Sequence, residues 1–177
     1  SQYGDRVSPA LSQALATGLI LDRQAPVNLE TKRHQLESEM AFPKIGNLAP
    51  KFSLQDHADK TVSLSDFKGK SSVVVYFYPK AMTPGCTIQA QGLRDSDKAL
   101  KGLNTVVLGI SPDPVKKLAK FVERDELNFR LLSDENHAIA DKYGAWGAKK
   151  FMGREFDGIL RTTFIIGKDG KLKAVMD

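Results

Sequence analysis

Two β-rich runs separated by a helical pattern constrain the fold of this chain more than any other feature. Residues 72–78 (SVVVYFY) and 105–110 (TVVLGI) are almost wholly aliphatic or aromatic, as strands are when both faces of their sheet are covered. Between them, apolar residues recur at helical spacing over residues 87–103. A right-handed strand–helix–strand crossover places such strands side by side and parallel. The sequence therefore predicts an α/β fold with helices on the faces of a sheet.

Shorter patterns extend this sheet at its edges. Four further runs that are typical of antiparallel strands, paired around turns, lie at residues 51–54, 61–64, 162–166 and 172–175. Asp113 and Pro114 open another helical pattern, and a short helix is predicted around residues 137–143. We therefore expect a mixed central sheet flanked by helices over residues 41–177.

Residues 1–40 differ in character from the rest of the chain. Leu11, Leu15 and Leu19 recur at helical spacing after Ser8 and Pro9, which are suited to a helix start. This segment is predicted to be a helical extension that serves as a surface arm or a dimerisation helix.

Charge and hydropathy exclude several function classes. The formal net charge is +5, but acidic residues are interspersed among the basic ones, whereas a nucleic-acid-binding protein concentrates its basic residues on one element. No apolar run approaches the roughly 20 residues of a membrane span. The first residues also lack the order of a secretory signal. We expect a cytoplasmic protein that binds neither nucleic acid nor a membrane.

The chain contains a single cysteine, Cys86. One cysteine excludes an intrachain disulfide and a zinc site built on several thiolates. The histidines, His34, His57 and His137, do not stand at metal-ligand spacing from other ligands. We therefore expect no metal and no organic cofactor.

Cys86 lies eight residues beyond the end of the first buried run and at the start of a helical pattern. Sites in parallel sheets gather at the carboxyl ends of the strands. A helix N-terminus presents unpaired N–H groups and the positive end of the helix dipole, and both favour a thiolate over a thiol. Thr83 adds a hydroxyl, and Pro79 and Pro84 stiffen and shield the loop. These features favour a reactive cysteine over a packed one.

Residues 76–95 (YFYPKAMTPGCTIQAQGLRD) resemble the active-site segment of peroxiredoxins of the bacterioferritin comigratory protein, or peroxiredoxin Q, subfamily. They contain the Pro-x-x-x-Thr-x-x-Cys pattern as Pro79, Thr83 and Cys86. Further blocks match in order, and the resemblance covers about residues 42–177. These blocks are GNLAPKFSL (46–54), LSDFKGK (64–70), VLGISPD (107–113), NFRLLSDENH (128–137), YGAWG (143–147) and DGILRTTFIIGKDGK (157–171).

The resemblance implies a thioredoxin-like fold and the reduction of hydrogen peroxide and organic hydroperoxides. It assigns an arginine near the sulfur, which corresponds to Arg161. A guanidinium there would stabilise the thiolate and, with Thr83 and the Cys86 amide, hold the peroxide oxygens in line. The implied product on Cys86 is a sulfenic acid.

The chain departs from the family pattern at the resolving cysteine. Many members carry a second cysteine five residues after the first or on the following helix, but this chain has Gln91 at the first position and none on the helix at 114–124. Recycling of Cys86 is therefore predicted to need an external thiol: thioredoxin, glutaredoxin with glutathione, or a second subunit. We expect a monomer or a weak homodimer.

Two other hypotheses about function, and one expectation about structure, stand beside the hypothesis of a peroxidase. Thioredoxin-type disulfide exchange would need Cys-x-x-Cys, and residue 89 is glutamine. A non-catalytic redox sensor or holdase would share the reactive Cys86 but turn over slowly. The family also continues into a final helix beyond the last strand, where this sequence ends. We expect either that this helix is missing from the sequence or that the helical extension at 1–40 covers the sheet in its place.

Overall fold

The computed structural model describes residues 42–176. The predicted extension at residues 1–40, and its suggested covering of the sheet, lie outside the described residues. The strands of the described part are β1 (Ser53–Asp56), β2 (Thr61–Ser63), β3 (Ser72–Phe77), β4 (Thr105–Ser111), β5 (Arg130–Ser133), β6 (Trp146–Phe151), β7 (Arg154–Ile159), β8 (Thr162–Ile166) and β9 (Leu172–Met176). Its α-helices are α1 (Pro84–Asp95), α2 (Asp97–Gly102), α3 (Val115–Asp125) and α4 (Ala138–Lys142).

Seven of the strands form one mixed sheet in the order β2-β1-β5-β4-β3-β8-β9. The three central strands β5, β4 and β3 are parallel, and in the β3–β4 pair Val73 lies opposite Val106 and Phe77 opposite Ile110. All the other pairs of this sheet are antiparallel. The prediction of a mixed α/β sheet with two parallel central strands is confirmed.

Alternate residues of β3 contribute to two different apolar cores, because successive side chains of a strand point to opposite faces. Val73, Val75 and Phe77 pack in one core with residues of β8 and α4. Tyr76 joins the other core, which contains Cys86 and residues from α1 and α3. Both faces of β3 are thus covered, as its unbroken apolar sequence predicts.

The prediction of one helix over residues 87–103 is wrong. The segment forms two helices, α1 and α2, which meet at Ser96, and the backbone of Ser96 (φ −88°, ψ 2°) leaves the helical region. The carbonyl of Gly92 accepts both the amide of Ser96 at 3.2 Å and its hydroxyl at 2.9 Å, a local side-chain bond of the kind that bends or ends a helix. Apolar spacing continues through the break, which is why the sequence pattern conceals it.

The strands β6 and β7 form a separate two-stranded hairpin that the sequence patterns do not predict. β5, which completes the parallel centre of the main sheet, was also not predicted. The hairpin carries Lys149, Lys150, Arg154 and Glu155, so it lacks the apolar alternation of a half-buried strand. It leads directly to Arg161 and β8, and therefore positions the arginine that the resemblance assigns.

Within residues 42–176, no helix has the length and apolar character that a membrane crossing requires. The same residues contain no group of three or more histidine, cysteine, aspartate or glutamate side chains arranged to hold a metal ion.

Candidate active site

The sulfur of Cys86 lies in the first turn of α1. Thr83 is the N-cap residue in an extended conformation (φ −77°, ψ 155°), and Pro84 occupies the first turn, where its missing N–H is not needed. Cys86 is only 1% exposed and packs in the core with Tyr76, Tyr78 and Ala90. The thiol is thus shielded from bulk water, and its residue lies at a helix start, where unpaired N–H groups and the positive end of the helix dipole are found.

Arg161 contacts the sulfur directly. Its Nη2 lies 3.1 Å from Cys86 Sγ, and its Nη1 donates to Gln89 Oε1 at 2.8 Å. Gln89 is one turn after Cys86 on α1, so the guanidinium bridges two side chains of the same helix face. The planar guanidinium can serve both acceptors with its geometry fixed, and its positive charge stabilises a thiolate.

The hydroxyl of Thr83 donates to the backbone of its own turn. Its Oγ1 donates to the carbonyl of Lys80 at 2.9 Å, across the turn that precedes α1. The single hydroxyl proton is therefore committed to the backbone, and the oxygen keeps lone pairs that can accept a hydrogen bond. The sequence analysis treats Thr83 as both donor and acceptor; in this arrangement it is an acceptor.

Pro79 ends β3 and begins the loop that carries the site. The preceding N–H, of Tyr78, is the last to join the strand pairing, donating to Ile110 at 3.1 Å. A proline has no N–H to continue that pairing, so the chain leaves the sheet there. Pro79 is half-buried and defines where the loop departs.

A buried carboxylate holds this loop at its centre. The amide of Ala81 donates to Asp113 Oδ2 at 2.7 Å, and the hydroxyl of Ser111 donates to the same oxygen at 2.9 Å. Asp113 is 7% exposed and lies just after β4, and its Oδ1 pairs with Lys117 at 3.3 Å. The next loop residue, Met82, has a left-handed backbone (φ 64°), which is uncommon for a residue other than glycine.

Two tyrosines of β3 and the strand end pack beneath the cysteine. Tyr76 and Tyr78 are stacked with ring centroids 5.4 Å apart, and both are buried. Burial, and to a smaller extent the charges of Tyr78 and Cys86, raise the pKa of Tyr76. Gly109 in β4 leaves the space for this ring, since a Cβ there would lie 2.8 Å from the Tyr76 hydroxyl and Cζ.

Gln91 occupies the position at which many family members carry the resolving cysteine. Its amide donates to Asp125 Oδ1 at 3.0 Å, and Asp125 is 8% exposed at the end of α3. Arg124 Nε lies 2.9 Å from Asp125 Oδ2, and its guanidinium donates to the hydroxyl of Thr87 at 2.8 Å. The part of α1 between Thr87 and Gln91 is therefore tied to α3 by polar side chains where a second thiol would stand.

The sequence indicates Cys86, Thr83, Arg161 and Pro79; the structure places the first three at one helix start and Pro79 just after the strand that leads to it. Of these, Arg161 is the one in direct contact with the sulfur. The reasoning did not name Gln89 or Asp113 as site residues. Helical spacing from Cys86 could have suggested Gln89. The place of Asp113 just after the carboxyl end of a parallel strand could have suggested it too.

Comparisons with known proteins give one consistent result. The sequence matches the AhpC/TSA family over residues 45–175. It is 59% identical over 133 residues to the putative peroxiredoxin bcp of Haemophilus influenzae, covering 75% of this chain and 85% of that protein. It is 54% identical over 134 residues to peroxiredoxin Bcp of Escherichia coli strain K12, covering 76% and 85%. The crystal structure of peroxidoxin BcpB from Mycobacterium tuberculosis is similar with a TM-score of 0.67 and 36% identity, covering 76% and 85%. The structural likeness confirms the predicted thioredoxin-like fold.

Proposed function

The chain belongs to the AhpC/TSA family, among the peroxiredoxins of the bacterioferritin comigratory protein group, and on this premise we propose that it reduces hydroperoxides with Cys86 as its only redox-active thiol. The observation that carries the proposal is the contact of 3.1 Å between Arg161 Nη2 and Cys86 Sγ at the first turn of α1. A cationic donor and a helix N-terminus converge on this one sulfur, as nucleophilic catalysis by a thiolate requires.

In the first half-reaction the thiolate attacks one oxygen of the hydroperoxide. The S–O bond forms as the O–O bond breaks, so sulfur is oxidised to sulfenic acid and the peroxide is reduced. The attacked oxygen keeps its hydrogen in the sulfenic acid, and the leaving oxygen takes a proton from solvent and departs as water or an alcohol. Thr83 Oγ1 can accept a hydrogen bond from the peroxide, because the hydroxyl donates its own hydrogen bond to the Lys80 carbonyl. Arg161 and the first-turn N–H groups supply donors for the charge that develops on oxygen.

The second half-reaction needs a thiol from outside the chain. The chain has one cysteine, so the sulfenic acid has no intrachain partner. An external thiol displaces water from the sulfenic acid to give a mixed disulfide, and a second thiol reduces that disulfide to restore Cys86. We assign these thiols to thioredoxin or to glutathione with glutaredoxin, acting on a monomer or a weak homodimer.

The test is peroxide consumption by the wild type and by Cys86→Ser, measured with the thioredoxin system and with the glutathione–glutaredoxin system in turn. We expect sustained turnover of hydrogen peroxide by the wild type with at least one system, and no turnover above background by Cys86→Ser. Rapid single oxidation of Cys86 without turnover in either system would contradict the enzymatic proposal and favour a redox sensor.

A further inference from the structure

We propose that Asp113 is a positioning residue for the peroxidase reaction: its buried carboxylate fixes the loop between Pro79 and Cys86 in the conformation that aligns the peroxide-binding groups with the sulfur. The inference rests on the proposed function, and it concerns the rate of Cys86 oxidation alone, which does not depend on the reductant.

The carboxylate of Asp113 connects the loop to the neighbouring strand across 32 positions of sequence. Its Oδ2 accepts the amide of Ala81 at 2.7 Å, and Ala81 is 2% exposed. Oδ2 also accepts the hydroxyl of Ser111 at 2.9 Å, which orients the carboxylate from the end of β4. The hydroxyl of Ser133 donates to the Asp113 carbonyl at 2.6 Å, so β5 holds the backbone of the same residue. Asp113 is thus anchored by two strands while it holds the loop.

The hydrogen bond to the Ala81 amide lies next to the residue of the loop whose backbone conformation is least favourable. Met82, the next residue, adopts a left-handed backbone with φ 64°, which persists only where surrounding structure enforces it. Directly after Met82, Thr83 closes the turn through the Lys80 carbonyl and becomes the N-cap of α1. The directions of the Thr83 oxygen and of the Cys86 sulfur both follow from this turn. Loss of the Ala81 bond would release the turn and misplace both groups relative to Arg161.

Replacing Asp113 by asparagine distinguishes the effect of its hydrogen bonds from the effect of its charge. In Asp113→Asn the amide oxygen can occupy the place of Oδ2 and accept both the Ala81 amide and the Ser111 hydroxyl. What it loses is the ion pair with Lys117, whose side chain is 30% exposed and can turn to water. If positioning is the role, Asp113→Asn keeps it, whereas Asp113→Ala removes it.

Asp134 offers a matched control. It is also a buried aspartate, 3% exposed, and its two oxygens accept the amides of Ile139 and Ala140 at the start of α4. Asp134→Ala therefore removes buried carboxylate hydrogen bonds of the same kind, but from a helix that does not carry the cysteine loop.

The experiment measures two single-turnover rates for Cys86 in each variant: oxidation by hydrogen peroxide and alkylation by iodoacetamide. Alkylation needs only an accessible thiolate, whereas peroxide attack needs aligned donors and acceptors, so the ratio of the rates reports alignment. We expect this ratio to fall by about ten- to hundred-fold in Asp113→Ala and to stay within about three-fold of wild type in Asp113→Asn and Asp134→Ala. Ser111→Ala, which removes the hydroxyl that orients the carboxylate, should lower this ratio several-fold. It replaces Asp113→Ala as the test variant if Asp113→Ala does not fold.

An unchanged ratio in folded Asp113→Ala, or in Ser111→Ala where that variant serves, would overturn the inference. An equal fall in Asp134→Ala would assign the effect to general destabilisation and overturn it as well. A wild-type Cys86 that reacts with hydrogen peroxide no faster than a free thiol would instead contradict the proposed function, so the two failures are distinguishable.

Discussion

At the scale of single residues, the guanidinium of Arg161 combines two tasks. One nitrogen contacts Cys86 Sγ at 3.1 Å, and the other donates to Gln89 at 2.8 Å. The second bond fixes the plane of the guanidinium, because two donors in a rigid fork are held by two acceptors on one helix face. A lysine would supply the charge but only as a single point, without the second anchored donor.

Replacement of Arg161 should therefore slow the oxidation of Cys86 in a graded way. We expect Arg161→Ala to lower the second-order rate with hydrogen peroxide by about 10²- to 10³-fold, the typical cost of removing one donor that stabilises developing charge. Arg161→Lys should recover part of this loss, since the charge remains and the fork does not. Stopped-flow measurement of single oxidation checks both.

The control for these variants is Arg154→Ala, which removes an exposed arginine from the hairpin formed by β6 and β7. It should oxidise at the wild-type rate. Equal rates for Arg161→Ala and the wild type would show that the contact with the sulfur has no part in catalysis.

Which site residues the sequence could predict depends on whether their partners are local. Cys86, Thr83 and Pro79 fall within eight positions of one another, so strand end, loop and helix start indicate them together. Arg161 is 75 positions from Cys86 and was placed by family resemblance alone. Position in the sequence could suggest Gln89 and Asp113 as neighbours of the site, but their roles depend on bonds to Arg161 and to the Ala81 amide, which lie far away in sequence and are known only from the structure.

At the scale of secondary structure, the continuity of α1 decides how Cys86 can be recycled. The helix runs unbroken from Pro84 to Asp95, so residues 86 and 91 are separated by about 7.5 Å along its axis. A disulfide needs Cα atoms closer than about 7 Å with converging Cβ directions. A thiol at position 91 could therefore reach Cys86 only if the first turns of α1 unwind.

Gln91→Cys tests this requirement. After one equivalent of hydrogen peroxide, we expect this variant to form an intrachain disulfide, detected by non-reducing mass spectrometry. We expect amide hydrogen exchange over residues 84–95 to rise at the same time, because the helix must open to bring the sulfurs together.

Gln91→Ser is the matched control, since it loses the bond to Asp125 without gaining a thiol. It should show neither the disulfide nor the increase in exchange after peroxide. Disulfide formation in Gln91→Cys with the protection of α1 unchanged would contradict the argument from helix geometry.

Strands are predictable from the sequence where their burial produces a clear apolar pattern. The residues of β3 and β4 are apolar almost throughout because both faces of those strands are covered. β5 is short, and an exposed arginine begins it, so its four residues carry little periodicity. The hairpin of β6 and β7 is mostly exposed along β7, and its pairing depends on backbone hydrogen bonds that leave no apolar alternation.

At the scale of the whole domain, burial of tyrosine is shared between the two faces of the sheet. Tyr76 and Tyr78 lie in the core with Cys86, and Tyr143 lies in the core on the other face. The Tyr143 hydroxyl donates to the Pro50 carbonyl at 2.7 Å, whereas among the described residues the Tyr76 hydroxyl has no partner. Both cores therefore depend on phenols that remain protonated.

This arrangement predicts that the domain loses stability at alkaline pH. Burial raises the pKa of Tyr76, Tyr78 and Tyr143 above the ordinary value. In the unfolded chain these groups ionise near pH 10, while the folded protein keeps the protons, so above about pH 10 the unfolded state binds fewer protons. The free energy of unfolding then falls as pH rises, by up to about 1.4 kcal/mol per pH unit for each tyrosine; below that pH the effect is absent.

Urea unfolding at about pH 9 and pH 11 measures this slope. Tyr76→Phe should keep its stability at neutral pH, because an unpaired buried hydroxyl is lost, and should show a smaller alkaline slope. Tyr143→Phe should lose about 1 kcal/mol at neutral pH with its bond to Pro50, and its slope should shrink to a similar extent. If the unfolding free energy falls with pH at the same slope in the wild type and in both variants, the buried phenols do not govern the stability of the domain at high pH, on either face of the sheet.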